Sequence, residues 1–137
     1  MELSICIDVD DVDRAVEFYG RGLGLTVVEQ HPDWAQIKLR DQTFWIMKAP
    51  AGVQGQISRD YRRHWTPVHL DFAVDDIDEA VSRAVDAGGK LEGEIQHGAK
   101  GPLANMVDPS GNGVDLVCTA KYQSAGSAAT LAPRCCS

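Results

Sequence analysis

The side chains best suited to chemistry in this chain are a histidine and nearby carboxylates. His69 and Asp71 are two residues apart in a run that alternates polar and apolar residues, so both project from one face of an extended strand. A histidine held beside a carboxylate can transfer protons near neutral pH. Acid–base catalysis by His69 with Asp71 or Asp115 is therefore one chemistry that the sequence offers.

Two other groups of residues suit ligand binding, and each has a plainer interpretation. A basic cluster runs from Arg59 to His64; such a cluster is usually a solvated linker, but it could also hold an anionic group of a ligand. Aromatic side chains can stack on a planar ligand, although in a small domain they more often belong to the core or to an interface. The candidates are Trp34, Trp45, Trp65 and Tyr61.

Charge and hydropathy exclude several classes of partner. The formal net charge is −7, from 13 basic and 20 acidic residues, which argues against a nucleic-acid partner. No apolar run reaches the ~18 residues needed to cross a bilayer. The residues after Met1 do not form the basic stretch followed by an apolar stretch that is typical of a secretory signal. The cysteines lack the CxxC spacing of a structural zinc site. We expect a cytoplasmic protein without a membrane partner.

An internal repeat organises the chain. The eight residues 9–16, VDDVDRAV, recur as VDDIDEAV at residues 74–81, an offset of 65 with six identities. A long repeat present twice indicates a duplicated half-domain. In each copy a short alternating run predicts a strand, and Asp10 or Asp11, like Asp75 or Asp76, is placed to cap the helix that follows.

Three further strands are predicted after each helix, which gives the order βαβββ twice. In the first half they are residues 26–29, 34–39 and 43–48; in the second they are 90–95, 103–107 and 113–118. We therefore predict an α+β protein with a first module at 1–49, a linker at 50–67 and a second module at 68–119. The Ser-, Ala- and Gly-rich residues 120–137 are predicted to form a loosely ordered tail.

The duplicated unit and its ending, Asp108-Pro-Ser-Gly-Asn-Gly-Val-Asp-Leu116, resemble the vicinal-oxygen-chelate superfamily over residues 3–119. That superfamily includes glyoxalase I, extradiol dioxygenases and bleomycin-resistance proteins. The resemblance implies two sheets that form an incomplete barrel around a cavity. The resemblance does not select one function, because this fold hosts both catalysis and pure binding.

The resemblance also implies positions for metal ligands, in the first and last strands of each half. In the second half these positions hold His69 and Asp115. In the first half the first-strand position holds Ser4, and the last-strand position falls on or beside Ile46. A catalytic divalent metal needs about three protein ligands and an open position. Only His69 and Asp115 qualify, so we predict no resident cofactor, with a divalent metal at His69 and Asp115 as the alternative.

Strand alternation extends the predicted cavity beyond those positions. We predict that Trp45 and Met47 point toward the helix and that three carboxylates enter one concavity, which would favour a cationic ligand. A register error of one residue would exchange the two faces. The predicted cavity residues are Ser4, Cys6, Asp8, Phe44, Ile46, His69, Asp71 and Asp115.

Two functional hypotheses follow from these positions. The first is a small-molecule binding protein similar to the bleomycin-resistance branch, which sequesters a cationic or aromatic compound, as in antibiotic resistance, and whose cavity is completed by a homodimer. The second is a metal-dependent lyase, isomerase or dioxygenase that uses His69 and Asp115. The missing ligands in the first half favour binding.

Overall fold

The first half of the molecule contains one helical segment and four strands. The computed structural model describes residues 1–99 and 101–118. Helix α1 is short and continues without a break into a π-helical segment, Glu17–Gly22. The elements are β1 (Ser4–Val9), α1 (Val12–Val16), β2 (Thr26–Gln30), β3 (Trp34–Leu39) and β4 (Gln42–Lys48).

The second half repeats this plan after a connecting hairpin. The hairpin consists of β5 (Gly52–Gln54) and β6 (Ile57–Arg59), within the segment predicted as a linker. The later elements are β7 (Leu70–Ala73), α2 (Ile77–Asp86), β8 (Lys90–Leu91), β9 (Gln96–Gly98), β10 (Gly101–Val107) and β11 (Gly113–Val117). Only the first two residues of the strand predicted at 90–95 are a strand, β8, because Gly93 adopts a left-handed φ of 71° that interrupts it; β9 begins at Gln96, beyond the predicted range.

Each half forms its own open sheet, and the two sheets have the same connectivity. The orders are β1-β4-β3-β2 and β7-β11-β10-β8, with β9 also paired to β10. In both sheets the first strand is an edge strand and pairs in parallel with the last strand of its half. The prediction of an α+β fold is confirmed, and the sheets of the described residues do not close into a barrel.

Helix capping follows the repeat. Asp11 and Asp76, 65 residues apart, each accept a hydrogen bond from the backbone N–H three residues later, at 3.0 Å in both cases. These bonds satisfy one of the amides left unpaired at a helix start. The structure thus selects Asp11 and Asp76 from the two candidates in each half.

One hydrophobic core joins the halves. Phe44 of the first sheet stacks against Phe72 of the second, with ring centroids 6.3 Å apart, and Tyr19 also contacts Phe72. The π-helical segment packs against α2 so closely that a Cβ on Gly22 would lie 2.9 Å from the Cβ of Ala87. A larger residue at position 22 would therefore force the halves apart.

Two remaining predictions concern the ends of the chain and the membrane. The predicted tail at 120–137 lies outside the described residues. Among the residues that the structure describes, every helix is too short or too polar to cross a bilayer.

Candidate functional site

A cavity of about 610 Å³ lies between the edge strand β1 and the start of β7. Residues 57–68, here called the strap, run along it and contribute Ser58, Arg59, Asp60 and Tyr61 among others. The apolar part of the wall consists of Ile5, Ile7, Val68, Leu70 and Val114. A volume of this size is typical of sites for small organic molecules, which occupy roughly 300–1,000 Å³.

The charged side chains of this cavity are paired. Asp8 of β1 forms an ion pair with Arg59 of the strap, whose side chain is only 20% exposed. Asp60 is paired with Arg62, and the hydrogen bonds from Arg62 lower the pKa of Asp60 to about 2. The cavity is therefore close to neutral rather than acidic.

Tyr61 attaches the strap to the first half. Its hydroxyl donates a hydrogen bond to the carbonyl oxygen of Ala49 at 2.8 Å. Burial, and then the negative charge of Asp8, raise the pKa of Tyr61 above its usual value. Tyr61 therefore stays a neutral hydrogen-bond donor at neutral pH.

His69 connects the cavity to a cluster of carboxylates. Its Nε2 lies 3.3 Å from Asp71 Oδ1 and 3.7 Å from Asp115 Oδ2, and its ring lies 4.6 Å from that of Trp65. The potential ligand atoms of His69, Asp71 and Asp115 all lie within 4.8 Å of one another. This separation is wider than in a formed metal site, and Asp71 has the most exposed side chain of the three, at 42%.

Asp115 is the best oriented member of this cluster. Its side chain is 10% exposed, and its Oδ1 accepts a hydrogen bond of 2.7 Å from Asn105 Nδ2. Gln96 in turn donates to Asn105 Oδ1 at 2.9 Å. Asp115 Oδ2 accepts no hydrogen bond from the described residues, so this oxygen is available to a metal or a protonated His69.

The structure separates the eight predicted cavity residues into several groups. Cys6, Asp8 and His69 line the cavity, while Asp71 and Asp115 contact His69 from outside its lining. Ser4 is exposed at the start of β1 and is also outside the lining.

The prediction for Phe44 and Ile46 needs correction, because both are buried in the core. In the parallel register Phe44 is paired with Ile5 and Ile46 with Ile7, so these side chains share the helix-covered face of the sheet. The partner of Cys6 is Trp45, which is turned to the other face. The sequence prediction had shifted the register of β4 against β1 by one residue, and a shift of one residue exchanges the two faces of a strand.

Trp34 and Trp45 occupy the face of the first sheet opposite α1. Their ring centroids are 5.7 Å apart, and His31 stacks on Trp34 at 4.2 Å. Both tryptophans are partly exposed, so this surface can receive another planar group.

Sequence reasoning left the role of the strap residues open, between a solvated linker and a cluster that could hold an anionic group of a ligand. Arg59 and Tyr61 belong to the basic cluster whose plainer interpretation was a solvated linker, yet both line the cavity. The sequence contains the cluster but no periodicity that would show where it packs.

The Asp108-Pro-Ser-Gly-Asn-Gly turn has a structural role. Asp108 is 3% exposed, and its carboxylate accepts hydrogen bonds from the amides of Ser110 and Asn112 and from the Tyr19 hydroxyl, at 2.8, 2.9 and 2.8 Å. Asn112 Nδ2 donates a fourth bond. Burial, and then the charge of Asp108, raise the pKa of Tyr19 well above its usual value. Asp108 thus joins the second half to the first.

The duplicated sheets and the cavity between them define a protein of the vicinal-oxygen-chelate fold. The chain belongs to the family described as "Glyoxalase-like domain", whose model matches residues 4–117. This agrees with the superfamily that the sequence resembled.

Two curated relatives are similar to most of this chain. Anthracycline biosynthesis protein DnrV of Streptomyces peucetius is 34% identical over 110 residues, and DauV of Streptomyces sp. strain C5 is 31% identical over 110 residues. The matches cover 79% of this chain but 38% of each relative, so the chain spans well under half of their length.

Solved structures share the fold at lower identity. A glyoxalase-related enzyme from Fulvimarina pelagi has a TM-score of 0.67 at 19% identity, covering 87% of this chain and 89% of its own. TnmS3, an antibiotic binding protein from Streptomyces sp. CB03234, has a TM-score of 0.59 at 19% identity over 88% and 98%. A bleomycin-binding protein from Streptomyces verticillus has 0.56 at 16% identity over 86% and 95%.

Proposed function

We propose that this protein binds a small aromatic molecule in the cavity between β1, β7 and the strap. The observation that carries the proposal is the cavity itself, which is about 610 Å³ and combines an apolar wall with a few polar groups. Sites with this composition bind organic molecules because the apolar wall supplies affinity and the polar groups fix orientation.

The cationic ligand predicted from the sequence has less support than the aromatic one. That prediction needed three carboxylates in one concavity, whereas Asp8 is paired with Arg59, and Asp71 and Asp115 lie outside the lining. The net charge of −7 still favours cations at long range. Within the cavity, apolar contact and hydrogen bonding are the stronger terms.

The comparisons support binding of a small natural product without identifying one. Two proteins of the same fold are described as binding an antibiotic or bleomycin, and the two curated relatives are anthracycline biosynthesis proteins. The match covers 38% of each of those relatives, so the likeness extends to only part of them.

The free thiol of Cys6 provides a direct test, since it is exposed and lines the cavity. Planar aromatic compounds are titrated while the alkylation rate of Cys6 is followed by mass spectrometry of its peptide. We expect saturable protection of Cys6 at micromolar ligand. Alkylation that stays unchanged at all ligand concentrations would count against the proposal.

A matched pair of substitutions on β1 shows whether the cavity is the site. Cys6→Trp fills the cavity, and Ser4→Trp adds the same bulk on the same face of the strand but outside the lining. Cys6→Trp should abolish the ligand-induced change in tryptophan fluorescence, and Ser4→Trp should retain it. Equal effects of the two substitutions would place binding elsewhere.

A second candidate function is that of a metal-dependent lyase, isomerase or dioxygenase. The specific observation is that His69, Asp71 and Asp115 bring three ligand atoms together, one more than the sequence predicted. One nitrogen and two oxygen donors suit iron, manganese, nickel or zinc, so the residues present fit such an ion. When bound, the metal would act as a Lewis acid on substrate oxygens.

Metal binding is measured directly, by elemental analysis of protein purified without chelator and by calorimetric titration with Co²⁺. His69→Ala should remove the binding, whereas His97→Ala, which changes an exposed histidine outside the cluster, should leave it intact. A stoichiometric metal that survives His69→Ala would rule out this site.

The homodimer and the cytoplasmic location stay predictions. We propose a dimer on the basis of the superfamily resemblance, because two-fold contacts are the commonest form of oligomer. Size-exclusion chromatography with light scattering should give twice the chain mass of 14.9 kDa. Elution at the single-chain mass would contradict the dimer.

A further inference from the structure

The three arginines of the strap have different surroundings. Arg62 is highly exposed and pairs with Asp60. Arg63 pairs with Glu92 of the second half and lies over the ring of Trp65. Arg59 is the least exposed of the three, and it is the one whose side chain lines the cavity.

Arg59 has hydrogen-bonding capacity that the protein does not use. Its Nε donates to Asp8 Oδ2, but neither Nη nitrogen donates a hydrogen bond to any described residue. A guanidinium carries five N–H donors, four of them on the two Nη atoms. Leaving such donors unpaired in a side chain that is four-fifths buried is unfavourable, so they require water or a ligand.

The geometry of a guanidinium limits which ligand group can satisfy it. Its planar, forked donors match the two oxygens of a carboxylate, which accepts two parallel charge-assisted hydrogen bonds. Asp8 already occupies the Nε position, and it fixes the orientation of the fork. An amide offers one acceptor and no charge, so it would be bound less strongly.

We propose that the molecule bound in this cavity carries a carboxylate, which accepts hydrogen bonds from the Nη groups of Arg59 while its aromatic body lies against the apolar wall. This inference rests on the proposed function, because it names the class of ligand for the same cavity. It differs from the cationic ligand expected from the net charge, because it depends on one cation inside the cavity.

The test uses a matched pair of planar probes, anthraquinone-2-carboxylic acid and anthraquinone-2-carboxamide. They differ only in the group that would contact Arg59. Calorimetric titration of the full chain should give the acid an affinity at least about tenfold higher than the amide, as expected for a charge-assisted pair of hydrogen bonds. In Arg59→Gln this preference should disappear.

Two further variants make the result specific. Arg63→Gln removes a strap cation that does not line the cavity, so it should keep the preference for the acid. Arg59→Lys retains a cation for Asp8 but lacks the fork, and it should lower the preference to threefold or less. Arg59→Lys also decides the question if thermal melting shows that Arg59→Gln does not fold.

The outcomes separate this inference from the function on which it rests. If the amide binds as tightly as the acid, or if both Arg59 variants keep the preference, the carboxylate is not recognised by Arg59 and binding of an aromatic molecule still stands. If neither probe protects Cys6 nor gives heat on titration, both proposals fail together.

Discussion

The two halves of this protein place different chemistry on the same backbone positions. Where the second half has His69, Asp71 and Asp115, the repeat offset and the strand register of the first half give Ser4, Cys6 and Trp45. The correspondence between the halves extends to the neighbouring strand, because Asn105 pairs with Asp115 and Gln36 pairs with Trp45. A shared scaffold therefore carries a polar cluster in one half and an aromatic surface in the other.

This comparison shows which features of a duplicated fold are tied to the scaffold. The helix caps Asp11 and Asp76 and the parallel pairing of first and last strands are the same in both halves. On the faces away from the helices, by contrast, Ser4, Cys6 and Trp45 stand where the second half has His69, Asp71 and Asp115. Function in this fold can thus change on one face while the core-facing side of each strand is retained.

The largest difference between the halves in their contribution to stability is expected at the last turn of each half, before β4 and before β11. Asp108→Ala leaves the Tyr19 hydroxyl and two amides without their buried acceptor, so we expect it to lower the free energy of unfolding by about 4 kcal/mol or more. Asp41→Ala, in the exposed turn of the first half, should change it by no more than ~0.5 kcal/mol. Urea unfolding measures both, and equal losses would show that the turns have the same role.

The contact between the halves should also depend on pH, through Tyr19. Because its pKa is raised in the folded protein, the neutral form is favoured by folding. Its contribution is complete below the ordinary tyrosine pKa of about 10 and is lost as pH rises toward the folded value. The free energy of unfolding should therefore fall above about pH 10.

Tyr19→Phe is the control for this alkaline loss. It removes one hydrogen bond to a buried charge, so it should cost about 1.5–3 kcal/mol at pH 7. The part of the alkaline decrease that comes from Tyr19 should be absent in this variant. An unchanged alkaline decrease would assign it to another group, such as Tyr61 of the strap.

Exchanging residues between the halves tests whether the polar cluster belongs to one half alone. His69→Ser, which introduces the residue of the first half, should reduce Co²⁺ affinity at least about tenfold, which corresponds to 1.4 kcal/mol. The reciprocal Ser4→His should not create a second site, because Cys6 and Trp45 supply no carboxylate there. Two bound ions per chain in Ser4→His would contradict this asymmetry.

The sequence predicted the repeated elements well because they depend on local signals. Alternation, an acidic cap and a terminal glycine are readable within a few residues, and they gave the α+β class and both helix starts. The Asp108 ending also identified the superfamily, and the family model that matches residues 4–117 agrees with it.

The site was predicted less well because it depends on contacts between distant segments. Phe44 and Ile46 were assigned to the cavity because the counterpart of Asp115 was taken one residue too late, at Ile46 instead of Trp45. Nothing local fixes the register of two strands separated by a helix and two more strands. The position of the strap against β1 was not predicted for the same reason, since the pairing of Arg59 with Asp8 spans 51 residues.

The smallest expected difference in stability is between variants of two similar ion pairs on the helical segments. Arg83 pairs with Glu79 one turn away, and Arg83→Gln should cost only about 0.3–0.5 kcal/mol. Arg21 pairs with Glu17 in the same way, but its Nη2 also donates to the carbonyl of Asp86 at 2.8 Å, across the contact between the halves. Arg21→Gln should therefore cost about 1 kcal/mol. Thermal unfolding of the two variants compares them, and equal shifts would mean that this polar bond between the halves adds nothing to the apolar contact of Gly22 with Ala87.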